Sequence, residues 1–273
     1  MKPAPFDYVR PTDLAGALRV LGEAQGGGRI LAGGQSLGPM LNLRLARPDL
    51  LVDLRDIAAL HRVEARGDAV FFGAMTTHAA FEDGRVPDPA NGMMRAVAGD
   101  IAYRAVRTRG TLGGSLAHAD PAADWVAALT ALGAAVHVEG AGGARAVPIA
   151  RFMTGAFATV LGEGEAILSG VSVPKLSPRA RWGYYKICRK PGEFAEAIGA
   201  VVLDPARGYR AVVMGAVGGA PVLLDDIARR LPFDGAPAIA RQEIAAAGPP
   251  MDDVDAQLHA VAVERAIQRA NAS

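Results

Sequence analysis

Arg29-Ile30-Leu31-Ala32-Gly33-Gly34-Gln35-Ser36-Leu37-Gly38-Pro39-Met40 is the stretch whose reading decides the fold. Arg29-Ile30-Leu31 is a short run of strand type after the triple glycine Gly26-Gly27-Gly28. Behind the pair Gly33-Gly34, Leu37, Met40, Leu41 and Leu45 recur at roughly helical spacing. The order is strand, glycine loop, helix. Two adjacent glycines remove both side chains where the chain turns, so backbone N–H groups can wrap a charged oxygen closely. Ser36 can add a hydroxyl donor, and a helix start aims further N–H groups the same way. A related pattern returns at Thr111-Leu112-Gly113-Gly114-Ser115-Leu116. One such loop reads first as a plain tight turn, whereas two of them can cradle the two halves of a pyrophosphate.

The 273 residues are 51% hydrophobic and 21% charged, enough for one large domain or two modest ones with their own cores. Net charge is +1 and no Lys/Arg run or basic-aromatic stripe occurs, so the footprint of a nucleic-acid binder is missing. No apolar run approaches the length of a membrane span, and Met1 to Pro5 leads into Phe6-Asp7-Tyr8 without an apolar signal core, so a cytoplasmic protein is expected. Cys188 is the single cysteine and can neither close an internal disulfide nor hold an iron–sulfur cluster. His61, His78, His118, His137 and His259 show no metal-ligand spacing, and no metal site is expected. Redox chemistry in this chain needs a borrowed cofactor.

Along the chain, Phe6 to Val9 reads as a strand, and Thr12 as the cap of a helix with Leu14, Ala17, Leu18 and Leu21 on its apolar face. Asp49 to Asp53 is a buried-strand pattern that completes a small α/β lobe, roughly residues 1–55. Val63, Ala65, the Gly67-Asp68 turn and Ala69 to Gly73 read as a hairpin. Thr76-Thr77-His78 starts a helix with Phe81 buried, and Met93, Met94, Val97 and Ile101 mark another. Asp120-Pro121 reads as a helix cap and first residue, with Asp124 on the first turn. Ala135 to Glu139 pairs with Ala146 to Pro148, and Glu165 to Val173 is a further strand. The linker Lys175 to Ala180 divides the chain at residue 175/176. Beyond it come strands at Tyr184 to Ile187, Ala197 to Leu203 and Tyr209 to Val217. Helices follow at Asp225 to Leu231, Ala236 to Ala247 and Asp252 to Ala270, an α+β order.

Neither a P-loop nor a G-x-G-x-x-G fingerprint is present. Gly34-Gln35-Ser36-Leu37-Gly38 does match the G-x-S-x-G nucleophile elbow. Its histidine would have to be His259, which falls outside the stripe of Val254, Leu258, Val261 and Ala262 and reads as a solvated helix residue. His118 and Asp120 can be a proton-transfer pair or local turn formers. Arg104, Arg107 and Arg109 can be a solvated basic face or charge that complements phosphate or a partner subunit. Lys186, flanked by Tyr185 and Ile187, can face outward from an alternating strand or serve a site.

Ala32-Gly33-Gly34-Gln35-Ser36-Leu37 together with Arg107 to Leu116 resembles the paired FAD loops of the FAD-binding subunits of molybdenum hydroxylases, the family of carbon monoxide dehydrogenase medium subunits and xanthine dehydrogenase flavin domains. The similarity runs through Val52-Asp53-Leu54-Arg55, Gly73-Ala74-Met75-Thr76-Thr77 and Tyr185-Lys186 and covers essentially the whole chain. It implies an α+β protein: a two-lobed FAD-binding fold of the vanillyl-alcohol oxidase type over residues 1–175, lobes 1–55 and 56–175, then a C-terminal α+β domain over 176–273. It implies that Leu31, Ala32, Gly33, Gly34, Gln35, Ser36 and Leu37, with Thr111, Leu112, Gly113, Gly114 and Ser115, hold FAD. Ile101, Asp124, Leu168 and Lys186 match further cofactor positions. Ser115 stands where many relatives have Asn, and Tyr103-Arg104-Ala105 where they often have a His-Pro-Gln-like stretch. The expected role is electron transfer in a hetero-oligomer with a molybdopterin-containing large subunit and an iron–sulfur small subunit. Its rivals are a free-standing flavin oxidoreductase and a module that holds FAD only for assembly.

Overall fold

The structure is a computed structural model and describes residues 2–162, 166–231, 233, 239 and 241–272. Strand β1 (Asp7–Val9), helix α1 (Leu14–Glu23), β2 (Gly28–Leu31), α2 (Leu37–Asn42) and β3 (Leu50–Asp53) build the first lobe around a parallel sheet ordered β1-β3-β2. Asp13, and not Thr12, caps α1: it holds extended dihedrals and its carboxylate accepts from the Gly16 N–H at 2.7 Å. Helix α2 is shorter than its apolar spacing suggests. Arg44 takes a left-handed φ of 57° just beyond it, which leaves Leu45 outside the helix and 73% exposed.

The second lobe opens with the expected hairpin of β4 (Val63–Arg66) and β5 (Ala69–Gly73). Five helices follow: α3 (His78–Glu82), α4 (Met93–Asp100), α5 (Arg104–Arg109), α6 (Leu112–His118) and α7 (Asp124–Ala131). Strands β6 (Ala135–Gly140) and β7 (Gly143–Pro148), the short pair β8 (Met153–Gly155) and β9 (Ala158–Thr159), and β10 (Ala166–Pro174) complete it. Glu165, the expected start of β10, lies outside the described residues. An antiparallel sheet ordered β4-β5-β10-β6-β7 results, with β10 at its centre. Asp120 does not cap α7; its carboxylate accepts from Ala122 N–H in a local turn, and the helix begins at Asp124.

The last part is an antiparallel sheet of β11 (Arg181–Ile187), β12 (Ala197–Asp204), β13 (Tyr209–Gly215) and β14 (Val222–Leu223), followed by α8 (Asp225–Arg230), α9 (Arg241–Ala247) and α10 (Asp253–Ala272). Residues 236–238 and 240, where a longer α9 was expected, lie outside the described residues. Every residue of β12 is buried, because its side chains alternate between two cores. Ile198, Ala200 and Val202 join the core of the first 180 residues, while Val201 and Leu203 pack with α8 to α10. Gly183 and Gly199 let α10 lie directly on the sheet: a Cβ at either would overlap the carbonyl oxygen of Ala266 or Ala262. His259 is buried and not solvated as expected. Its Nδ1 lies 2.8 Å from Asp255 O and its Nε2 3.2 Å from Ala216 O, so both ring nitrogens are occupied by backbone.

Candidate cofactor site

The first glycine loop leaves β2 at Leu31 and turns through Gly34, whose φ of 71° suits glycine. Gly38 N–H closes back on Gly34 O at 2.9 Å, and the Gln35 amide braces Gly33 O at 3.1 Å. Among the described residues, the backbone N–H groups from Ala32 to Leu37 meet no protein acceptor. The Ser36 hydroxyl makes no cap bond and is likewise available. Since half-buried N–H groups are rarely left without partners, this run has the chemistry of an anion nest.

The second glycine stretch has the opposite character. Leu112 N–H donates to Thr76 O at 2.8 Å, Gly113 N–H to Ala74 O at 2.9 Å, Gly114 N–H to Thr111 Oγ1 at 3.0 Å and Ser115 N–H to Thr111 O at 3.0 Å. It is the capped first turn of α6, not a second open cradle. Thr111 is its N-cap and explains the Thr at that place. Here the glycines serve packing: a Cβ on Gly113 would stand 2.8 Å from the Ala74 Cα and carbonyl oxygen.

The two stretches touch. A Cβ on Gly33 would overlap the Arg109 carbonyl oxygen and stand 2.8 Å from Gly110 Cα, and one on Gly114 would lie 3.3 Å from Ala32 Cβ. Beside this contact is a cleft of about 240 Å³ with Ala32, Gly33, Met75, Thr77 and Thr111 in its wall and Arg55, His61 and Arg109 at its rim. Among the described residues, no acidic residue lines it. Arg55, His61, Met75, Thr77 and Arg109 are not among the site residues that the sequence reading assigns to FAD. Arg55, Met75, Thr77 and Arg109 belong to the quoted motifs, while His61 offers no signal.

A second grouping forms around Lys186 in β11. Its ammonium lies 3.0 and 3.1 Å from the two Asp124 oxygens and 3.0 Å from Asp100 O, and both side chains are less than a tenth exposed. Tyr184, two residues earlier on the same strand face, donates to Asp124 Oδ1 at 2.7 Å. Burial pushes the Asp124 carboxyl up, opposed by Lys186 and the Tyr184 hydrogen bond. Burial and the Asp124 charge hold Tyr184 well above 10, so it stays a donor. Lys186 thus neither faces outward nor stands as a free charge. Ile101 follows Asp100 at the end of α4, so it shares this region. Leu168 is buried in β10 at a register shift, one residue before Ser169, whose carbonyl holds the Ala74 N–H that leads on to Gly113.

Of the remaining candidates, His118 packs its ring on Phe157 with centroids 5.3 Å apart. Arg104 and Arg107 are both committed to acids: Arg104 to Glu82 and Asp83, Arg107 as a fork on Glu82 at 2.8 and 2.9 Å. These contacts hold the Glu82 carboxyl below its usual range, Arg107 first. No group of metal-ligating side chains occurs among the described residues, and none of their helices is long and apolar enough to cross a membrane.

The open nest, the basic rim and the absence of acids in the cleft fit a ligand with phosphate anions, and comparison with known proteins identifies the class. The model of the FAD binding domain in molybdopterin dehydrogenase matches residues 4–176. The chain belongs to this family: it is an FAD-binding flavoprotein of the medium-subunit type, a component of an oxidoreductase. It is 34% identical to caffeine dehydrogenase subunit beta of Pseudomonas sp. (strain CBB1), over 81% of this chain and 76% of that one. It is 38% identical to the carbon monoxide dehydrogenase medium chain of Afipia carboxidovorans, over 76% and 72%. Its fold superposes on carbon monoxide dehydrogenase from Oligotropha carboxidovorans with a TM-score of 0.89 at 32% identity, covering 100% of this chain and 99% of that one.

Proposed function

We propose that the chain is the electron-transfer flavin subunit of a molybdenum-containing hydroxylase, assembled with a molybdopterin-containing large subunit and an iron–sulfur small subunit. The observation that carries this is the run of unpartnered N–H groups from Ala32 to Leu37 in a member of this family. FAD, when bound, supplies the chemistry by which electrons arriving from clusters are collected and passed to an acceptor. The chain's own residues bind and orient it. Residues 31–37 hold the diphosphate, and Thr111 to Ser115 hold the first loop in place and present the Thr111 and Ser115 side chains. Ile101, Leu168 and the Asp124–Lys186 pair border the ring. Because Lys186 is neutralised by Asp124, the pair acts as a fixed dipole and not as a lone cation. The division into 1–175, with lobes 1–55 and 56–175, and 176–273 then gives most of the cofactor contacts to the first part, with Lys186 contributed by the second. The single cysteine fits a subunit that houses no cluster of its own.

Purification of the full chain with its co-expressed neighbours tests this. Molybdopterin, iron–sulfur clusters and FAD are expected in one complex, with substrate reducing the flavin only when all are present. An isolated chain whose flavin is reduced directly by a small substrate overturns the subunit assignment.

A further inference from the structure

Helix α5 carries three arginines, and the fold treats them unequally. Arg104 and Arg107 are neutralised by Glu82 and Asp83. Arg109 makes no ion pair or hydrogen bond among the described residues and is exposed at the rim of the cleft beside the first glycine loop. Its backbone is nevertheless fixed. The Arg109 carbonyl packs against Gly33, Gly110 N–H donates to Val106 O at 2.7 Å, and Gly110 O accepts from His78 N–H at 3.0 Å. A cation with a rigid root and an uncommitted head is thereby set over a row of free N–H groups.

The cleft needs such a cation. A diphosphate is doubly charged, and the first loop offers it neutral donors alone. The second glycine stretch adds no positive charge and at most the neutral Thr111 and Ser115 hydroxyls, because its N–H groups from Leu112 to Ser115 are spent on Thr76, Ala74 and Thr111. Arg55 has its Nε on Asp53 at 2.7 Å, and His61 Nε2 faces Arg55 O at 3.0 Å, so both are partly committed. We propose that Arg109 is the cationic ligand of the FAD diphosphate, closing over the anion opposite the Ala32–Leu37 nest, with Arg55 and His61 as a supporting basic rim. Its planar fork suits two phosphate oxygens at once. This rests on the cofactor assignment above and adds the residue that neutralises the ligand.

The test is titration of the full chain, stripped of flavin, with FAD and with ADP, which carries the diphosphate and lacks the ring. Arg109→Gln is expected to weaken both by about tenfold to a hundredfold, the range of a charged hydrogen bond. It should also flatten the salt dependence of binding, and Arg109→Lys should recover part of the loss. Arg104→Gln, on the same helix but already paired, should bind both ligands as the parent does. Unchanged FAD affinity in Arg109→Gln overturns the proposal. So does weakened FAD with unchanged ADP, which would put Arg109 against another part of the cofactor. A parent chain that binds neither ligand removes the cofactor assignment itself, and Arg109 with it.

Discussion

The ammonium of Lys186 has three N–H bonds, and three acceptors surround it: both Asp124 oxygens and Asp100 O. Lys186→Met would strand a buried carboxylate, so a loss of about 3–5 kcal/mol in urea unfolding is expected, with the double variant Asp124→Asn/Lys186→Met recovering most of it. If the double variant is no better than the single, the pair is not a pair. That Lys186 sits in a strand and wants a reason was legible from its apolar neighbours. Its partner was not, because Asp124 is 62 residues away and only tertiary packing joins them. In sequence, His78 reads as part of a helix start and as one of five histidines without metal-ligand spacing. It is buried under Gly110 and accepts from Trp125 Nε1 at 3.0 Å through Nδ1, which requires the neutral ring. Burial, with Arg107 nearby, lowers its pKa from 6.5 to about 4. Between those values the unfolded chain binds a proton that the native chain does not. The stability this ring contributes is therefore complete above pH 6.5, falls as pH drops toward 4, and falls no further below. The difference is on the order of 3 kcal/mol. His78→Asn, whose amide oxygen can still accept from Trp125, should flatten this part of the pH–stability curve in urea titrations, and an unchanged curve would remove His78 from the acid response.

At the level of elements, the sequence pattern located every strand of the first sheet and the hairpins of the second, because short apolar runs set off by proline, glycine or charged residues say the same thing locally and globally. Caps were less legible. Thr12 and Asp13 are both competent, and only the dihedrals choose Asp13. The two strings Gly33-Gly34-Gln35-Ser36 and Gly113-Gly114-Ser115 are the sharper case, since similar residues produce an open nest and a packed helix start. What differs is the company: Thr76 and Ala74 offer carbonyls to the second string, and nothing does so for the first. Gly33→Ala should force the two strings apart at Arg109 and cut FAD binding at least tenfold, as expected when a Cβ has no room beside backbone. Gly38→Ala, five residues further on with open space around it, should leave FAD affinity within about twofold. Equal losses in a fluorescence titration would mean that α2, and not the contact between strings, governs the site.

Across the whole molecule, the linker around Lys175 to Ala180 was readable from its prolines, but the continuity of packing across it was not. Tyr184, Ile198, Ala200, Val202 and Val213 belong to the same core as Trp125 and Phe72. Ser177 N–H and hydroxyl donate to Asp204 at 2.8 and 2.6 Å, tying the linker to the far sheet. β12 is buried on both faces and cannot tell a sequence reader that its two faces belong to different cores. A fragment of residues 1–175 would therefore expose the apolar face of α7 and leave Asp124 without Lys186 and Tyr184. It should be recovered as insoluble or molten material by near-ultraviolet circular dichroism, whereas a cooperative unfolding transition in that fragment would show that the first part stands alone.

The bare contact between α10 and the sheet has a further meaning. Where Gly183 and Gly199 meet the carbonyls of Ala266 and Ala262, helix and strand are separated by backbone alone, so there is no side chain left to adjust if the fit is disturbed. Elsewhere on α10 the rules are loose: Val254 is 77% exposed and open to exchange. The tolerance of the chain to sequence drift is thus uneven along one helix, generous at its first turn and, where it crosses β11 and β12, reduced on the sheet side to the one residue that has no side chain.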